Sequence, residues 1–375
     1  MRIAVNTRLL LLGKLDGIGW FTYETLKRIT TQHGEHEFLF LFDRPFSQEF
    51  IFSKNITPLI VSPPARHPVL WYTWFEFSIP RILEKYKADI FFSPDGYLSL
   101  RSRIPSLAVI HDINFHHRPE DLPPASRIYY RSFFPRFANR ADRIVTVSNY
   151  SKSDICESYN IPEEKVQVVY NGANPSYSPL SDEETLEARQ KFTDGIPYFV
   201  FVGTLHPRKN IPRLLKAFDK FRDEHSSPFN MVIVGEKMFM TREIEQTIYR
   251  MTNKNDVVFT GRLSPEDLRC VLGAATALTF VPLFEGFGIP AVEAMYCDTP
   301  ILASNVTSLP EVAGDAALFV DPYNIPAIKE GMLELANNAD TRNQLRIKGR
   351  EQRRKFSWDK TAEKLWENIE ELIRM

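Results

Sequence analysis

Two stretches of this sequence combine residue types that suit a phosphorylated, hydroxyl-rich ligand. In Gly203-Thr204-Leu205-His206-Pro207-Arg208-Lys209-Asn210, two adjacent cations follow an apolar run and precede a helical pattern with Leu214, Leu215 and Phe218 on one face. A cation pair beside the positive end of a helix dipole repels itself unless an anion joins it. Arg grips phosphate as a fork and Lys as a point charge, so a pyrophosphate would relieve the repulsion. Each charge-assisted hydrogen bond would contribute about 1.5 to 3 kcal/mol. Read alone, the same pair is equally a solvated loop with ordinary surface charges.

The second stretch is Phe284-Glu285-Gly286-Phe287-Gly288-Ile289-Pro290-Ala291-Val292-Glu293. Its glycines let backbone approach a ligand, and Pro290 is tolerated in the first turn of the helix it begins. Free N–H groups at such a start receive phosphate or a sugar hydroxyl. Glu285 and Glu293 bracket the helix start and could accept hydrogen bonds from a ribose and a second sugar. Their alternative role is to complement the helix dipole, worth about 0.3 to 1 kcal/mol each, but that explains neither glycine. His111-Asp112 and Ser148 add further polar residues after apolar runs. Ser148 and Ser151 read as a strand-to-helix turn and N-cap, since no GxSxG surrounds them.

The elements that position these groups alternate short apolar runs with longer amphipathic stretches, the pattern of βαβ units and parallel sheets. Strands are predicted at Ile3 to Val5, Phe38 to Phe42, Ile90 to Phe92, Leu107 to Ile110, Ile144 to Val147 and Val166 to Val169. The first precedes a loop with Gly13, Gly17 and Gly19 and a helix from about Phe21 to Thr30. A polar stretch from Asn174 to Glu187 separates this lobe from a second series: Tyr198 to Gly203, Met231 to Gly235, Val257 to Gly261, Ala277 to Pro282 and Pro300 to Ser304. A charged helix follows at Thr341 to Lys355. A last helix, from Trp358 to Ile373, puts Trp358, Ala362, Leu365, Trp366, Ile369 and Ile373 on one face. The expected domains are 1–174 with the returning helix 357–375, and 188–356. Ligands of open α/β sheets bind outside strand carboxyl ends, where the polar residues above fall.

A chain of 375 residues with 43% hydrophobic and 25% charged residues buries a core and accommodates two lobes. Its 46 basic and 47 acidic residues nearly cancel, so no global field attracts nucleic acid, and none is expected as a partner. Cys156, Cys270 and Cys297 form no CxxC and no disulfide framework. The leucine run before Lys14 is too short for a signal-peptide core or a membrane span, and a cytoplasmic protein is expected. Gly13, Gly17 and Gly19 do not form GxGxxG, which argues against a dinucleotide oxidoreductase. His116 and His117, as neighbours, point poorly at one metal ion. Trp71 to Phe77 and Tyr129 to Arg136 are aromatic segments, either core packing or a surface for a lipid-linked or polysaccharide acceptor with Arg127, Arg131 and Arg136 near anionic headgroups.

The ordered set of the early glycines, His111-Asp112, Val147-Ser148 with Ser151-Lys152, Pro207-Arg208-Lys209-Asn210, and Glu285 followed by Glu293 resembles the retaining family 4 glycosyltransferases of GT-B architecture. The likeness spans essentially the whole chain. It is strongest from Phe280 to Pro322, which looks like the donor-binding half of bacterial mannosyltransferases. The resemblance implies an α/β fold of two Rossmann-like, doubly wound lobes facing a cleft, with the C-terminal helix crossing back to the first lobe. It implies that Arg208 and Lys209 bind a diphosphate, Glu293 a ribose, and Glu285 with the Phe287 and Gly288 amides the transferred sugar. His111 would touch that sugar near its reacting carbon, Gly17 and Gly19 would let backbone approach the phosphates, and Gly203 would belong to the donor site. One departure is that Asp16 precedes Gly17 and Trp20 follows Gly19, where relatives often carry a further glycine and a polar or basic residue.

The activity so implied is a retaining, metal-independent transfer of a sugar, mannose from GDP-mannose foremost, from a nucleotide diphosphate donor to a glycan or lipid-linked acceptor. No cofactor and no metal are expected. Contact with the inner face of the cell membrane is left open. A nucleotide-sugar 2-epimerase, a phosphorylase, or a non-catalytic nucleotide-sugar binding protein on the same architecture are the alternatives.

Overall fold

The computed structural model describes residues 1–236 and 242–374. The chain divides into two compact units, Met1–Gly172 with Ser357–Met375, and Ala173–Phe356. The polar stretch read as a separator belongs to the second unit. Its helix Asp182–Thr193 begins in a capping box in which Ser181 and Glu184 satisfy each other's backbone amides.

In the first unit, β1 (Arg2–Asn6), β2 (Glu37–Phe42), β3 (Ile56–Ile60), β4 (Ile90–Ser93), β5 (Ser106–Val109), β6 (Arg143–Thr146) and β7 (Val166–Val168) form one parallel sheet in the order β3-β2-β1-β4-β5-β6-β7. Alternate side chains along each strand feed opposite faces. Ile3, Val5, Phe38, Phe40, Phe92 and Val109 pack against Phe21, Leu26 and Ile29 of the helix Gly17–Gln32, and against Trp358, Leu365, Trp366 and Ile369 of the last helix, Trp358–Arg374. Ala4, Leu39, Phe91 and Ile144 face Trp74, Phe75, Leu83 and Phe137 on the other side. The returning helix is therefore a structural part of the first unit. Trp366 stacks on His33 with ring centroids 3.8 Å apart, and Thr361 donates to the Tyr170 carbonyl at 2.7 Å.

In the second unit, β8 (Tyr198–Val202), β9 (Asn230–Val234), β10 (Val257–Gly261), β11 (Ala277–Phe280), β12 (Ile301–Ser304) and β13 (Ala317–Val320) form a parallel sheet in the order β10-β9-β8-β11-β12-β13. Both sheets are thus doubly wound, with the strand order reversing between β1 and β4 in one and between β8 and β11 in the other. Ile56–Ile60 and Ala317–Val320 are the strands that the apolar pattern missed. Both lie at sheet edges and are only partly buried, and β3 carries Pro58, which only an edge tolerates. No helix among the described residues is long and apolar enough to cross a membrane.

Candidate active site

The reversal between β8 and β11 gathers the charged residues of the second unit. β8 runs into Gly203, at φ 145°, whose amide donates to the Val234 carbonyl, while the Gly235 amide donates to the Gly261 carbonyl. A Cβ on Gly235 would collide with the Gly203 carbonyl, so these strand ends close on one another only because that side chain is missing. After Gly203, the His206 ring accepts from the Arg208 amide and starts a single tight turn, Pro207–Lys209. Asn210, in the left-handed region at φ 63°, ends the turn. Its side-chain amide donates to the Val281 and Pro322 carbonyls at 3.0 and 2.8 Å. The Leu283 amide donates to the Arg208 carbonyl at 2.8 Å. The cation-bearing turn is thereby tied to the segment leaving β11.

Arg208 Nη1 and Lys209 Nζ both donate to Glu285 Oε2, at 2.7 and 2.5 Å. Arg208 also donates to the Phe284 carbonyl at 3.1 Å, and the Lys209 ammonium lies 4.8 Å from the centre of the Phe280 ring. Burial pushes the Glu285 carboxyl up, but the charges and hydrogen bonds of Arg208 and Lys209 hold it below its ordinary value. Glu285 is thus an anion that joins the cation pair within the chain itself.

The loop after Glu285 is held by Ser308, whose buried hydroxyl lies within hydrogen-bond distance of the Glu285 and Phe287 carbonyls, at 2.9 and 3.0 Å. Gly288 precedes the helix Ile289–Tyr296 at φ 99°, and a Cβ there would lie 2.5 Å from Leu309 Cδ2. Phe287 is buried, edge-on to Phe356. Glu293 sits one turn inside the helix. Burial pushes its carboxyl up to about 7, against the lowering effect of the nearby Tyr177 phenol. Ser308 and Tyr177 escaped the sequence reading. Ser308 lies within the strongest stretch of the family likeness, whereas Tyr177 gave no signal beyond an aromatic in a polar connection.

In the first unit, His111 follows β5 and its Nε2–H donates to the Pro94 carbonyl at 2.9 Å. Burial lowers its pKa, so the ring is neutral, with the hydrogen on Nε2 and the Nδ1 lone pair remaining. Phe21 meets the imidazole edge-on at 4.9 Å, and Trp358 meets Phe21 at 6.3 Å, so the returning helix braces the histidine. Gly17 and Gly19 are not in a loop. They lie in the first turn of the helix Gly17–Gln32, whose N-cap Asp16 accepts from the Gly19 amide at 2.9 Å, so that amide is already engaged. Ser148 caps the helix Asn149–Tyr159 by accepting from the Ser151 amide. His117 pairs with Asp154 at 2.6 Å, and no group of three His, Cys, Asp or Glu among the described residues could hold a metal ion. Trp74, Phe75, Tyr129, Phe134 and Phe137 are core, which settles much of the aromatic segments as packing. A buried ion pair at the other reversal, Arg8 with Asp95, was not foreseen.

Two family models match the chain: Glycosyltransferase Family 4 over residues 15–177, and Glycosyl transferases group 1 over residues 182–352. The O-antigen chain mannosyltransferase B of Escherichia coli is 29% identical over 92% of this chain and 93% of its own length. The O-antigen chain mannosyltransferase RfbU of Salmonella typhimurium is 28% identical over 71% of each chain. Among solved structures, Anabaena HepE in complex with UDP and glucose superposes with a TM-score of 0.78 at 17% identity over 99% of both chains. WaaG, a glycosyltransferase involved in lipopolysaccharide biosynthesis, gives 0.77 at 15% identity over 97% of this chain and 98% of its own.

Proposed function

We propose, for a chain that belongs to the family 4 glycosyltransferases of GT-B architecture, a retaining, metal-independent transfer of mannose from GDP-mannose to a glycan or lipid-linked acceptor. The observation that carries the reading is the cluster of Arg208, Lys209 and Glu285 at the β8/β11 reversal, beside the glycine-led helix start. The choice of mannose is supported by the two O-antigen mannosyltransferases to which the chain is similar over most of its length.

In this reading the donor diphosphate meets Arg208 and Lys209, which exchange part of their contact with Glu285 for phosphate oxygens. Glu285 is then free to accept from hydroxyls of the transferred sugar. Glu293 accepts from the ribose. As the bond from the anomeric carbon to the diphosphate breaks, negative charge grows on the leaving oxygen, and fixed cations stabilise it more than the ground state. The acceptor oxygen bonds to the anomeric carbon on the face the phosphate leaves, and its proton passes to a phosphate oxygen. No protein base is required. The neutral His111 turns its hydrogen to Pro94 and offers Nδ1 to a sugar hydroxyl. Contact with a membrane surface is supported by exposed Tyr72, whose ring neighbours Phe77 and Phe133 lie under the Arg101 and Arg136 guanidinium groups.

The test is a panel of nucleotide sugars, read by ligand NMR with and without chelator, followed by anomeric analysis of the product. GDP-mannose binds, chelation changes nothing, and the product keeps the donor's anomeric configuration. An inverted product, or binding that chelator abolishes, overturns the reading.

A further inference from the structure

The strand order of the first sheet reverses between β1 and β4, just as that of the second does between β8 and β11. Such reversals leave a crevice at the strand carboxyl ends. Arg8 lies two residues beyond β1 and Asp95 two beyond β4. Arg8 Nε donates to Asp95 Oδ2 at 2.6 Å. The other carboxylate oxygen accepts from Asn6 Nδ2 at 2.8 Å, from the Ser93 hydroxyl at 3.0 Å and from the Tyr97 amide at 3.3 Å. The carboxylate is saturated.

The guanidinium is not. Arg8 is only 7% exposed and lies 4.2 Å over the Tyr97 ring and 5.5 Å from that of Phe75. Neither of its Nη nitrogens has a hydrogen-bond acceptor among the described residues. Around the same Tyr97 stand two more phenols, with ring centroids 6.0 Å away. The Tyr97 and Tyr130 hydroxyls share one hydrogen bond at 2.8 Å, and whichever donates, the other's hydrogen has no acceptor among the described residues. The Tyr129 hydroxyl is buried with no partner at all. Burial also raises the pKa of Tyr129 and of Tyr130, so both stay protonated donors. A buried donor without an acceptor is destabilising. Tyr129 carries that cost outright, and the Arg8 guanidinium and the Tyr97–Tyr130 pair add hydrogens without acceptors around the same spot, where the one carboxylate present is filled.

A cluster that offers only N–H and O–H groups is complementary to a group with several lone pairs and no hydrogens. We propose that Arg8, Tyr129 and Tyr130 form a second anion site, which binds a phosphate group of the acceptor substrate. The word acceptor rests on the glycosyltransferase reading above, whereas the phosphate site itself does not. The free Nη pair suits a forked contact with phosphate oxygens. The Asp95 pair removes the long-range charge, so recognition depends on hydrogen-bond geometry more than on net attraction.

The test uses the full chain with isotope-labelled arginine side chains, the Arg8 resonance being assigned through Arg8→Lys. Inorganic phosphate and the soluble prenyl ester citronellyl phosphate are titrated separately. Both shift the Arg8 resonance, and Tyr129→Phe and Tyr130→Phe each weaken the effect about tenfold, the loss of one hydrogen bond. Tighter binding of the prenyl ester assigns the phosphate to a lipid-linked acceptor, and equal binding assigns it to a water-soluble one. Tyrosine-to-phenylalanine changes keep the rings and the fold, which Arg8→Ala would not, since it strands Asp95. An unmoved Arg8 resonance at saturating phosphate, or a shift that survives both tyrosine variants, overturns the proposal. Binding of GDP-mannose at Arg208 is scored in the same samples, so failure of the donor reading and failure of this one are separable.

Discussion

Tyr177, in the segment that opens the second unit, acts on Glu293, one turn inside the helix Ile289–Tyr296: burial raises the pKa of that carboxyl and the nearby phenol lowers it. The phenol thus bears on the carboxylate proposed to receive a ribose. Burial carries the Glu293 carboxyl up to about 7.

The first expectation concerns pH. A ribose diol donates best to an ionised carboxylate, so donor affinity rises as pH passes upward through neutrality. Tyr177 lowers the Glu293 pKa. Tyr177→Phe then moves the midpoint of the affinity profile to higher pH, which calorimetric titration at a series of pH values would detect. A midpoint that stays put or falls contradicts the assignment.

Stability has the opposite dependence. The folded-state pKa of Glu293, about 7, lies above its ordinary 4.5. Between these values the folded chain binds more protons than the unfolded one, so this group's contribution falls as pH rises through the window. Glu293→Gln has no such titration. Its melting temperature relative to the parent climbs from acid to alkaline buffer, with a gain on the order of 3 kcal/mol above neutrality. Donor affinity drops in the same variant.

Arg208 and Glu285 differ in the sign of their effect on a bare nucleoside diphosphate. Arg208→Ala weakens its binding about 10- to 100-fold, the value of a charge-assisted hydrogen bond. Glu285→Ala exposes two cations that had one carboxylate between them, so binding holds or tightens while sugar transfer collapses. Equal losses of diphosphate affinity in both variants would rule out this division of labour.

Gly288→Ala places a methyl 2.5 Å from Leu309 Cδ2 on a backbone at φ 99°. The strain costs about 1 to 3 kcal/mol, and chemical denaturation should register it. Leu309→Ala opens a cavity of its own at a fully buried side chain, so the collision is read as the coupling in a double-mutant cycle, in which the two changes together cost less than their sum.

Trp358→Ala removes a buried ring from the first unit alone and costs about 3 to 5 kcal/mol. In calorimetry the transition that GDP-mannose raises stays in place and the other falls. The Pro94-bonded His111 loses the brace that reaches it through Phe21, and its imidazole NMR signals broaden.

The parallel strands were legible because buried strands of doubly wound sheets are continuous apolar runs, as Phe38 to Phe42 and Tyr198 to Val202 are. Two edge strands, Ile56–Ile60 with its Pro58 and the short Ala317–Val320, were not, although the edge strands Val166–Val168 and Val257–Gly261 were. The helix start at Gly17 was hidden by glycines that suggest a loop, and only the Asp16 cap explains why the helix begins so early. Arg208, Lys209 and Glu285 stood out by type, but not their mutual pairing, which depends on two loops 76 residues apart meeting at a strand reversal. Arg8 and Asp95 are 87 residues apart, and each alone is an ordinary polar residue after a strand.

The helix Trp358–Arg374 has a consequence for how the protein is made. Its tryptophans complete one face of a sheet whose first strand is Arg2–Asn6, so the opening third of the polypeptide leaves the ribosome with Phe21, Phe38 and Phe40 uncovered. The stretch Ala173–Phe356 holds its own core in one continuous segment and can close while the earlier half still waits for its last helix. The segment that emerges later can therefore complete its core before the one that emerges first.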